Sequence, residues 1–223
     1  MRTDMERIIR VTGKGKISVK PDTIRLELRL TEVLADYGAA VKESASRTEF
    51  LREIVEKAGL DPQDLRTTNF GITTEYESYH DENGVWKQRF LGYRYDHSLY
   101  VAFPAENSPL GRLLSLLSVS GLPAEFRIAY TVKDPEPARN ELIAKAVSDS
   151  KKKAAVLAEA AGVSLGRITS IDYSWGHIEI MSRPMNDVML AKGAAYEEAC
   201  DAFDINADDI DLEDTVTVVW ELV

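Results

Sequence analysis

Ile9-Arg-Val-Thr-Gly-Lys-Gly-Lys-Ile-Ser-Val-Lys-Pro-Asp-Thr-Ile-Arg-Leu-Glu-Leu-Arg-Leu30 is the stretch of this sequence that decides its fold. Apolar and polar residues alternate from Thr23 to Thr31, and a period of two with one apolar face predicts a strand of a half-solvated sheet. The apolar residues are Ile24, Leu26, Leu28 and Leu30. Gly13 and Gly15 lie in a preceding strand, and Pro21-Asp22 predicts the turn between the two strands.

Helical spacing begins at about Asp36, where apolar residues recur at gaps of three and four. The spacing predicts a helix of about six turns that ends at Gly59, because glycine is the usual residue after a helix C-terminus. The predicted buried stripe is Val41, Ala45, Thr48, Leu51, Val55 and Ala58.

Two further helices are predicted from their start and stop signals. A short helix begins at Ser108-Pro109, with the Ser108 hydroxyl as its cap, and ends at Gly121. Its stripe is Leu110, Leu113, Leu114 and Leu117. A second long helix opens at Asp134-Pro135 and closes at Gly162. Its predicted stripe is Ile143, Val147, Ala154, Leu157 and Ala161.

A hairpin is predicted between the first long helix and the short helix. Leu65 to His80 has an extended pattern, Asn83-Gly84 supplies a hairpin turn, and the return strand runs from about Trp86 to Phe103. Its shared face is predicted to be Tyr93, Tyr95, His97, Leu99, Val101 and Phe103. Later strands are predicted at 126–132, 167–175 and 215–223. The arrangement of strands and helices is compatible with two strand–helix–strand halves.

Composition limits the class of protein. The chain has 223 residues, which suits one large domain or two small ones, with 44% hydrophobic residues and no apolar run long enough to span a bilayer. The formal net charge is -10, and no lysine or arginine follows Lys192. Nucleic-acid binding is disfavoured, because phosphate contacts need a basic surface. The single cysteine, Cys200, excludes a disulfide within the chain.

The first residues, Met1 to Arg7, contain no apolar core of a secretory signal. The sequence as it stands therefore predicts a cytoplasmic protein, with a periplasmic or secreted location only if the chain is a processed form.

Catalytic and metal motifs are weak. Gly162-Val-Ser-Leu-Gly166 matches the nucleophile-elbow pattern, but a helix precedes it and a strand follows, which reverses the required order. Asp96-His97-Ser98 brings together three residue types found in triads, yet neighbours on a strand point to opposite faces. His97 is therefore interpreted as a packed or interface histidine. Gly13-Lys-Gly15 lacks the third glycine of a dinucleotide fingerprint, and no cofactor is predicted.

The acidic run from Asp204 to Asp214 does not form an EF-hand, because its sixth and twelfth positions are Asp209 and Thr215. Loose binding of divalent ions stays open beside a solvated acidic approach to an edge strand. The run closes a segment at about 176–210 that is interpreted as an irregular or partly helical acidic insertion, with a helix compatible with 189–203.

The aromatic hairpin is the most notable surface candidate. Its side chains could line a subunit interface or a ligand groove, because aromatic residues contribute much of the energy of interfaces, or they could be ordinary core. The candidate residues are Tyr76, Trp86, Phe90, Tyr93, Tyr95 and His97.

Three stretches together resemble the SIMPL-domain family, a domain of unknown function. They are Val11 to Asp22, Gly92-Tyr93-Arg94 with the strand after it, and Asp134 to Tyr173. The resemblance implies a single domain over 1–223 with an α+β fold: a largely antiparallel sheet with two long helices and one short helix packed on it. It further implies that many bacterial relatives are exported, including periplasmic immunogenic proteins, and that some relatives assemble into rings or larger oligomers. An animal relative is an adaptor for a signalling kinase. The family has no established catalytic residues.

The preferred hypothesis is a non-enzymatic, self-associating protein linked to stress or envelope physiology, with a homo-oligomer as its main form and an unidentified protein partner left open. One alternative is a module that binds a small ligand or peptide in an aromatic groove. A carboxylate-based hydrolase is the least favoured alternative, because it would need two carboxylates in one cleft with displaced pKa values.

Overall fold

A computed structural model of the protein describes residues 7–173, 180–182 and 207–223. The elements in these ranges, in chain order, are β1 (Ile8–Val19), β2 (Thr23–Leu34), α1 (Tyr37–Lys57), a short 3-10 helix (Pro62–Asp64), β3 (Arg66–His80), β4 (Trp86–Pro104), α2 (Asn107–Val119), β5 (Ala124–Thr131), α3 (Glu136–Ala160), β6 (Leu165–Asp172) and β7 (Ile210–Leu222).

The strands form two antiparallel sheets. One sheet has the strand order β1-β7-β6, and the other has the order β3-β4-β2-β5. Two long helices and one shorter helix accompany the sheets, so the predicted α+β class is confirmed. The antiparallel strands are divided between two sheets.

Contacts divide the described chain into two compact units. Unit 1 contains residues 7–21, 132–173, 180–182 and 208–223, and therefore holds β1, α3, β6 and β7. Unit 2 contains residues 22–131 and 207, and holds β2, α1, β3, β4, α2 and β5. Among the described residues, unit 2 has one buried apolar cluster and unit 1 has two. A single domain over 1–223 stays a prediction.

Unit 1 is built on close contact between β1 and α3. A Cβ atom on Gly13 would lie 2.0 Å from the carbonyl oxygen of Ala146, and one on Gly15 would lie 2.1 Å from that of Leu142. Only glycine therefore allows this approach, which explains the two glycines of the opening stretch. The Ser150 hydroxyl adds a hydrogen bond of 3.2 Å to the carbonyl oxygen of Val11.

The buried face of α3 is not the predicted stripe. It consists of Ala138, Leu142, Ala146, Ser150, Ala154 and Ala158. Of the predicted residues only Ala154 belongs to it, and Leu157 is 50% exposed. The prediction followed bulky residues, whereas a helix pressed against a glycine strand needs small ones. The predicted end at Gly162 is confirmed, since Gly162 has φ +71°.

Unit 2 buries the inner faces of β2 and β4 against α1 and α2. Ile24, Leu26, Leu28 and Leu30 are each 0–2% exposed, as the alternation predicts. Burial of each such side chain contributes about 2 kcal/mol to stability. The predicted stripe of α2 is confirmed, because Leu110, Leu113, Leu114 and Leu117 are all buried.

The first half of the predicted α1 stripe is wrong by one position. Ala40 and Ser44 are buried there, and Val41 is 41% exposed. Hydropathy favours valine over serine, but Ser44 forms a hydrogen bond inside the unit that compensates its burial. The predicted end at Gly59, with φ +86°, is confirmed.

Three predicted boundaries are wrong. Helix α2 begins at Asn107, and Ser108 does not cap it; the Ser108 hydroxyl accepts a hydrogen bond from Arg112. Strand β6 begins at Leu165 and ends at Asp172. Strand β7 begins at Ile210, inside the predicted insertion, because hydroxyl and lysine groups of β1 satisfy its acidic side chains. The rest of that insertion, with the helix predicted at 189–203, lies largely outside the described residues.

Candidate functional site

The predicted hairpin extends past the rest of its sheet. Strand β2 ends at Leu34, which pairs with Tyr93 of β4. Beyond this point residues 75–80 and 86–92 pair with each other, and no other described strand pairs with them. Residues 75–92 are called the ribbon below. A two-stranded ribbon has little stability of its own. Contacts made by its two faces therefore determine whether it is ordered.

The turn of the ribbon is well defined. The Asp81 carboxylate accepts hydrogen bonds from the backbone N–H groups of Asn83 (2.9 Å) and Val85 (3.0 Å). Lys87 lies 2.8 Å from the same carboxylate. The hydrogen bond from Lys87, followed by those from the backbone, lowers the pKa of Asp81. Gly84 adopts φ +73°, which confirms the predicted turn at Asn83-Gly84.

One face of the ribbon is aromatic. Tyr37, at the start of α1, meets Tyr93 edge-on at 5.6 Å between ring centroids. Tyr93 meets Phe90 at 5.4 Å, and Phe90 meets Tyr76 at 5.5 Å. Strand alternation places Trp86, which stacks on His80 at 3.9 Å, on the same face. The edge-on contacts are favourable at these distances, and they hold the rings from Tyr37 to Tyr76 as one row, with Trp86 beyond it.

The row remains open to solvent. Tyr76 is 51% exposed, Trp86 is 66% exposed and Phe90 is 44% exposed. Ring contacts join Tyr76 and Phe90 to Tyr93, whereas Trp86 forms a separate pair with His80 further along the same face. Isolated exposed apolar residues are ordinary, but a group of exposed rings on one face is not. We call residues Tyr37, Tyr76, Trp86, Phe90 and Tyr93 the aromatic face.

The opposite face of the ribbon is charged. Arg89 forms an ion pair with Glu77, and its guanidinium lies 6.0 Å from the ring centroid of Tyr79. Strand alternation places Lys87 beside Tyr79 on this side. The ribbon is therefore amphipathic: water solvates its charged side well and its aromatic side poorly.

Two of the predicted surface residues lie in the core of unit 2. Tyr95 is 0% exposed and His97 is 8% exposed. Burial raises the pKa of Tyr95, although Arg47 nearby opposes that effect. Neither side chain can contribute to an exposed aromatic surface, so four of the six predicted residues remain there: Tyr76, Trp86, Phe90 and Tyr93.

His97 is held by hydroxyl groups on both ring nitrogens. Its Nδ1 lies 3.0 Å from the Ser44 hydroxyl and 3.3 Å from that of Thr48, and its Nε2 lies 2.8 Å from the Thr67 hydroxyl. The Phe70 ring packs edge-on against it at 5.1 Å. Burial lowers the pKa of His97, because the charged form loses solvation. Sequence reasoning placed Thr48 in a buried stripe but identified none of the three hydroxyl residues as a partner of His97, since serine and threonine carry no signal for a partner distant in sequence.

The contact between Ser44 and His97 does not form a nucleophile site. Ser44 is 2% exposed, which leaves a substrate no access to its hydroxyl. Asp96 points to the opposite face of the sheet, where it pairs with Arg29. The interpretation of His97 as a packed residue agrees with this geometry.

The remaining candidate motifs from the sequence, the Gly-x-Ser-x-Gly stretch and the acidic run, have structural roles in the part of the chain that the structure describes. Gly162 ends α3, and the backbone of Ser164 pairs with Val223 at 2.7 and 2.9 Å, so the Gly-x-Ser-x-Gly stretch forms a helix end and a strand start. In the described part of the acidic run, Glu213 forms ion pairs with Lys14 and Lys16. The described residues contain no group of three or more side chains suited to a metal ion.

No described helix is long and apolar enough to cross a bilayer.

Comparison with known proteins places this fold in a family. The model of the SIMPL family, described as a protein of unknown function (DUF541), matches residues 9–220. Over 196 residues the chain is 29% identical to the 26 kDa periplasmic immunogenic protein of Brucella melitensis, covering 86% of this chain and 74% of that protein. The Brucella abortus protein of the same name matches equally well. Uncharacterized protein YggE of Edwardsiella ictaluri is 24% identical over 211 residues, which cover 95% of this chain and 85% of that protein.

The matched range begins at the glycine strand β1, runs through the ribbon and ends in β7. The chain belongs to the SIMPL family.

Proposed function

We propose that this protein is a non-enzymatic, self-associating protein whose copies meet through the aromatic face of the ribbon. The observation that carries the proposal is the aromatic face itself: aromatic rings lie open to solvent on one side of the ribbon, and charged side chains lie on the other side.

Physical reasoning favours a partner on this face. A ribbon of two strands is marginally stable, and burial of its apolar side would supply the missing stabilisation. Tyrosine and tryptophan are the residues most enriched at the energetic centres of interfaces. The charged side, with Glu77 paired to Arg89, can remain in water while the aromatic side is covered.

A second copy of the chain is the partner best suited to the face. In a two-fold arrangement the same patch lies on both sides of the interface, so rings would meet rings and no charge would need to be buried unpaired. The ion pairs near the ribbon, such as Glu75 with Arg94, are satisfied within the chain, which removes any need for a partner of opposite charge.

The experiment is the solution mass measured by light scattering after gel filtration. We expect the unmodified protein to form a discrete oligomer, and we expect the double variant Trp86→Ser and Phe90→Ser to be monomeric. The matched control is Val119→Ser with Val156→Ser, which removes two apolar side chains that are 72% and 65% exposed outside the ribbon. Circular dichroism of each variant verifies that it is folded.

A monomeric unmodified protein at high concentration would refute self-association. An oligomer that the ribbon variant leaves intact would refute the assigned surface. In the first case the alternative function, binding of a small ligand or peptide on the aromatic face, becomes the one to test.

Glu213 does not support the hydrolase alternative. Hydrogen bonds and charges from Lys14 and Lys16 lower its pKa, whereas a general acid needs a raised one. The carboxylate is also occupied by these two lysines, so it is poorly placed to act on a substrate.

We also propose a periplasmic location. The Brucella relatives are named periplasmic proteins, and these names give no support to the cytoplasmic location predicted from the N-terminal residues. Fractionation of cells that express the native gene tests this proposal: we expect the protein in the periplasmic fraction, and recovery with the cytoplasmic markers alone would contradict it.

A further inference from the structure

Unit 1 contains a lysine groove between β1 and α3, with a volume of about 540 Å³. Its lining residues are Lys14, Lys16, Lys145, Ser148, Asp149, Lys152 and Lys153. Five lysines thus line one groove in a protein whose formal net charge is -10, and four of the five pair with the carboxylates of Glu213, Glu141 and Asp149. We call this feature the lysine groove.

The close packing of unit 1 explains why these lysines converge. Gly13 and Gly15 face α3 and bring its backbone against β1. The alternate residues, Lys14 and Lys16, are exposed, and β1 is an edge strand of its sheet, so their long side chains reach the groove that the helix borders. The alternation of glycine and lysine therefore serves both the packing and the charge of this surface.

On the β1 side two lysines share one acid. Lys14 and Lys16 both form ion pairs with Glu213. Their neighbour Asp211 lies in an adjoining cavity, where it accepts a hydrogen bond of 2.8 Å from the Ser18 hydroxyl. The hydrogen bond from Ser18 leaves the charge of Asp211 in place, and that charge also acts on Lys16, so two carboxylates face the two lysines on this side. All four side chains are exposed, so a ligand with several negative charges can compete for Lys14 and Lys16.

On the helix side the lysines are only loosely neutralised. Lys145 lies 2.9 Å from Glu141, and Lys153 lies 2.7 Å from Asp149, both as exposed pairs one helical turn apart. Hydrogen bonds from Lys153 and from the backbone of β1 lower the pKa of Asp149, and the charge of Lys152 also helps to lower it, so two lysines share this carboxylate. Exposed pairs of this kind are weak, so a ligand with several negative charges can draw these ammonium groups away from their partners at little cost.

We infer that the lysine groove binds a ligand that carries two or more phosphate groups, either a soluble oligophosphate or clustered phosphate headgroups of anionic lipid. Lysine suits such a ligand because its compact ammonium group donates three hydrogen bonds and turns freely toward phosphate oxygens. The spread of five lysines over two elements fits several phosphates better than one. The backbone N–H of Lys14 is not available to a ligand, because it donates a hydrogen bond of 2.8 Å to the Asp149 carboxylate.

The test measures binding of sodium tripolyphosphate by calorimetry at low ionic strength, and cosedimentation with phosphatidylcholine vesicles that contain or lack phosphatidylglycerol. The test variant is Lys152→Gln with Lys153→Gln. The control is Lys42→Gln with Lys57→Gln, which removes the same charge from α1 in unit 2. A third variant, Glu213→Gln, should bind more tightly, because it releases Lys14 and Lys16.

We expect the test variant to weaken binding about tenfold, as the loss of charge-assisted hydrogen bonds implies, and the control to leave it unchanged. Lysine-dependent binding of tripolyphosphate identifies a soluble source, and lysine-dependent binding confined to vesicles with phosphatidylglycerol identifies a lipid. The inference is overturned if neither probe binds, or if test and control variants weaken binding equally, since binding would then reflect charge in general. Thermal unfolding of each variant confirms that it is folded.

Discussion

Gly13 sets the distance between β1 and α3, since the carbonyl oxygen of Ala146 occupies the space that a side chain would need. We predict that Gly13→Ala lowers the free energy of unfolding by about 3 kcal/mol, because backbone atoms of the helix must move to admit the methyl group. Urea denaturation measures the change.

Gly71→Ala is the matched control for this prediction. Gly71 also lies in a strand, β3, but an added Cβ would meet no atom within 4 Å. We expect a change within about 0.5 kcal/mol. Equal losses for Gly13→Ala and Gly71→Ala would show that the cost comes from the strand conformation and not from contact with α3.

His97 makes stability depend on pH in a known direction. Burial lowers its pKa in the folded state below the ordinary value of 6.5, so the unfolded chain takes up a proton first as the pH falls. The contribution of His97 is therefore fully present above about pH 6.5 and is lost as the pH falls toward the folded pKa. The groups that contact the ring are hydroxyls and an aromatic ring, and none of these titrates in that range.

We predict that the unmodified protein loses more stability between pH 7.5 and pH 5 than a His97→Asn variant does, as measured by urea denaturation at each pH. Asp81, Asp96, Asp149 and Glu213 have lowered pKa values and contribute stability that is lost below about pH 4, outside this window. The same pH dependence in both proteins would contradict the assignment to His97.

Helix α3 buries mainly small residues, with Leu142 as the one large side chain among its buried residues, and it exposes other large ones. Ala154 is 0% exposed, whereas Leu157 is 50% exposed. We predict that Ala154→Leu lowers the free energy of unfolding by about 2 kcal/mol through overpacking, whereas Leu157→Ala changes it by less than about 1 kcal/mol. Thermal or urea unfolding distinguishes the two. A larger loss for Leu157→Ala would mean that the helix presents the face that hydropathy favours.

At the scale of the whole molecule, unit 2 is inserted in the sequence of unit 1. Residues 22–131 of unit 2 connect β1 of unit 1 to the segment that contains α3. The N–H of Asp22 donates to the carbonyl oxygen of Thr131 at 3.1 Å, beside the pairing of β2 with β5. Without folded unit 2, residues 22–131 would form one long loop between β1 and α3. Closing such a loop costs unit 1 about 4 kcal/mol in chain entropy.

We therefore predict that damage to unit 2 also lowers the protection of unit 1 against hydrogen exchange. Leu26→Ala removes a fully buried side chain of unit 2 at a cost of about 3 kcal/mol. Amides of β7, which lies in unit 1, should then exchange faster. Unchanged exchange in β7 would show that the two units fold independently and would contradict the single domain predicted from the sequence.

The candidate site was partly visible in the sequence. Asn83-Gly84 between aromatic strands predicts the hairpin, and the hairpin is present with Tyr76, Trp86 and Phe90 exposed and Tyr93 half-buried. Alternation alone assigned Tyr95 and His97 to the same face as Tyr93, and this is correct. Alternation cannot show where along a strand that face passes from the core into solvent, because this depends on where β2 ends.

The lysine groove had even less signal in the sequence. Lys14 and Lys152 are separated by more than a hundred residues, and only the packing of α3 on β1 brings them to one surface. The local sequence pattern indicates which residues share a face of one helix or strand. It carries no information on which other element packs against that face.

The sequence by itself determined the elements that depend on local physics: the strands by alternation, and the helix ends by Gly59 and Gly162, whose backbone conformation suits glycine. Tertiary structure alone decided the buried faces of α1 and α3. A buried serine is stable only beside His97, and a stripe of alanines is a core only against Gly13 and Gly15. Both depend on partners distant in the chain, and therefore on contacts that no local pattern contains.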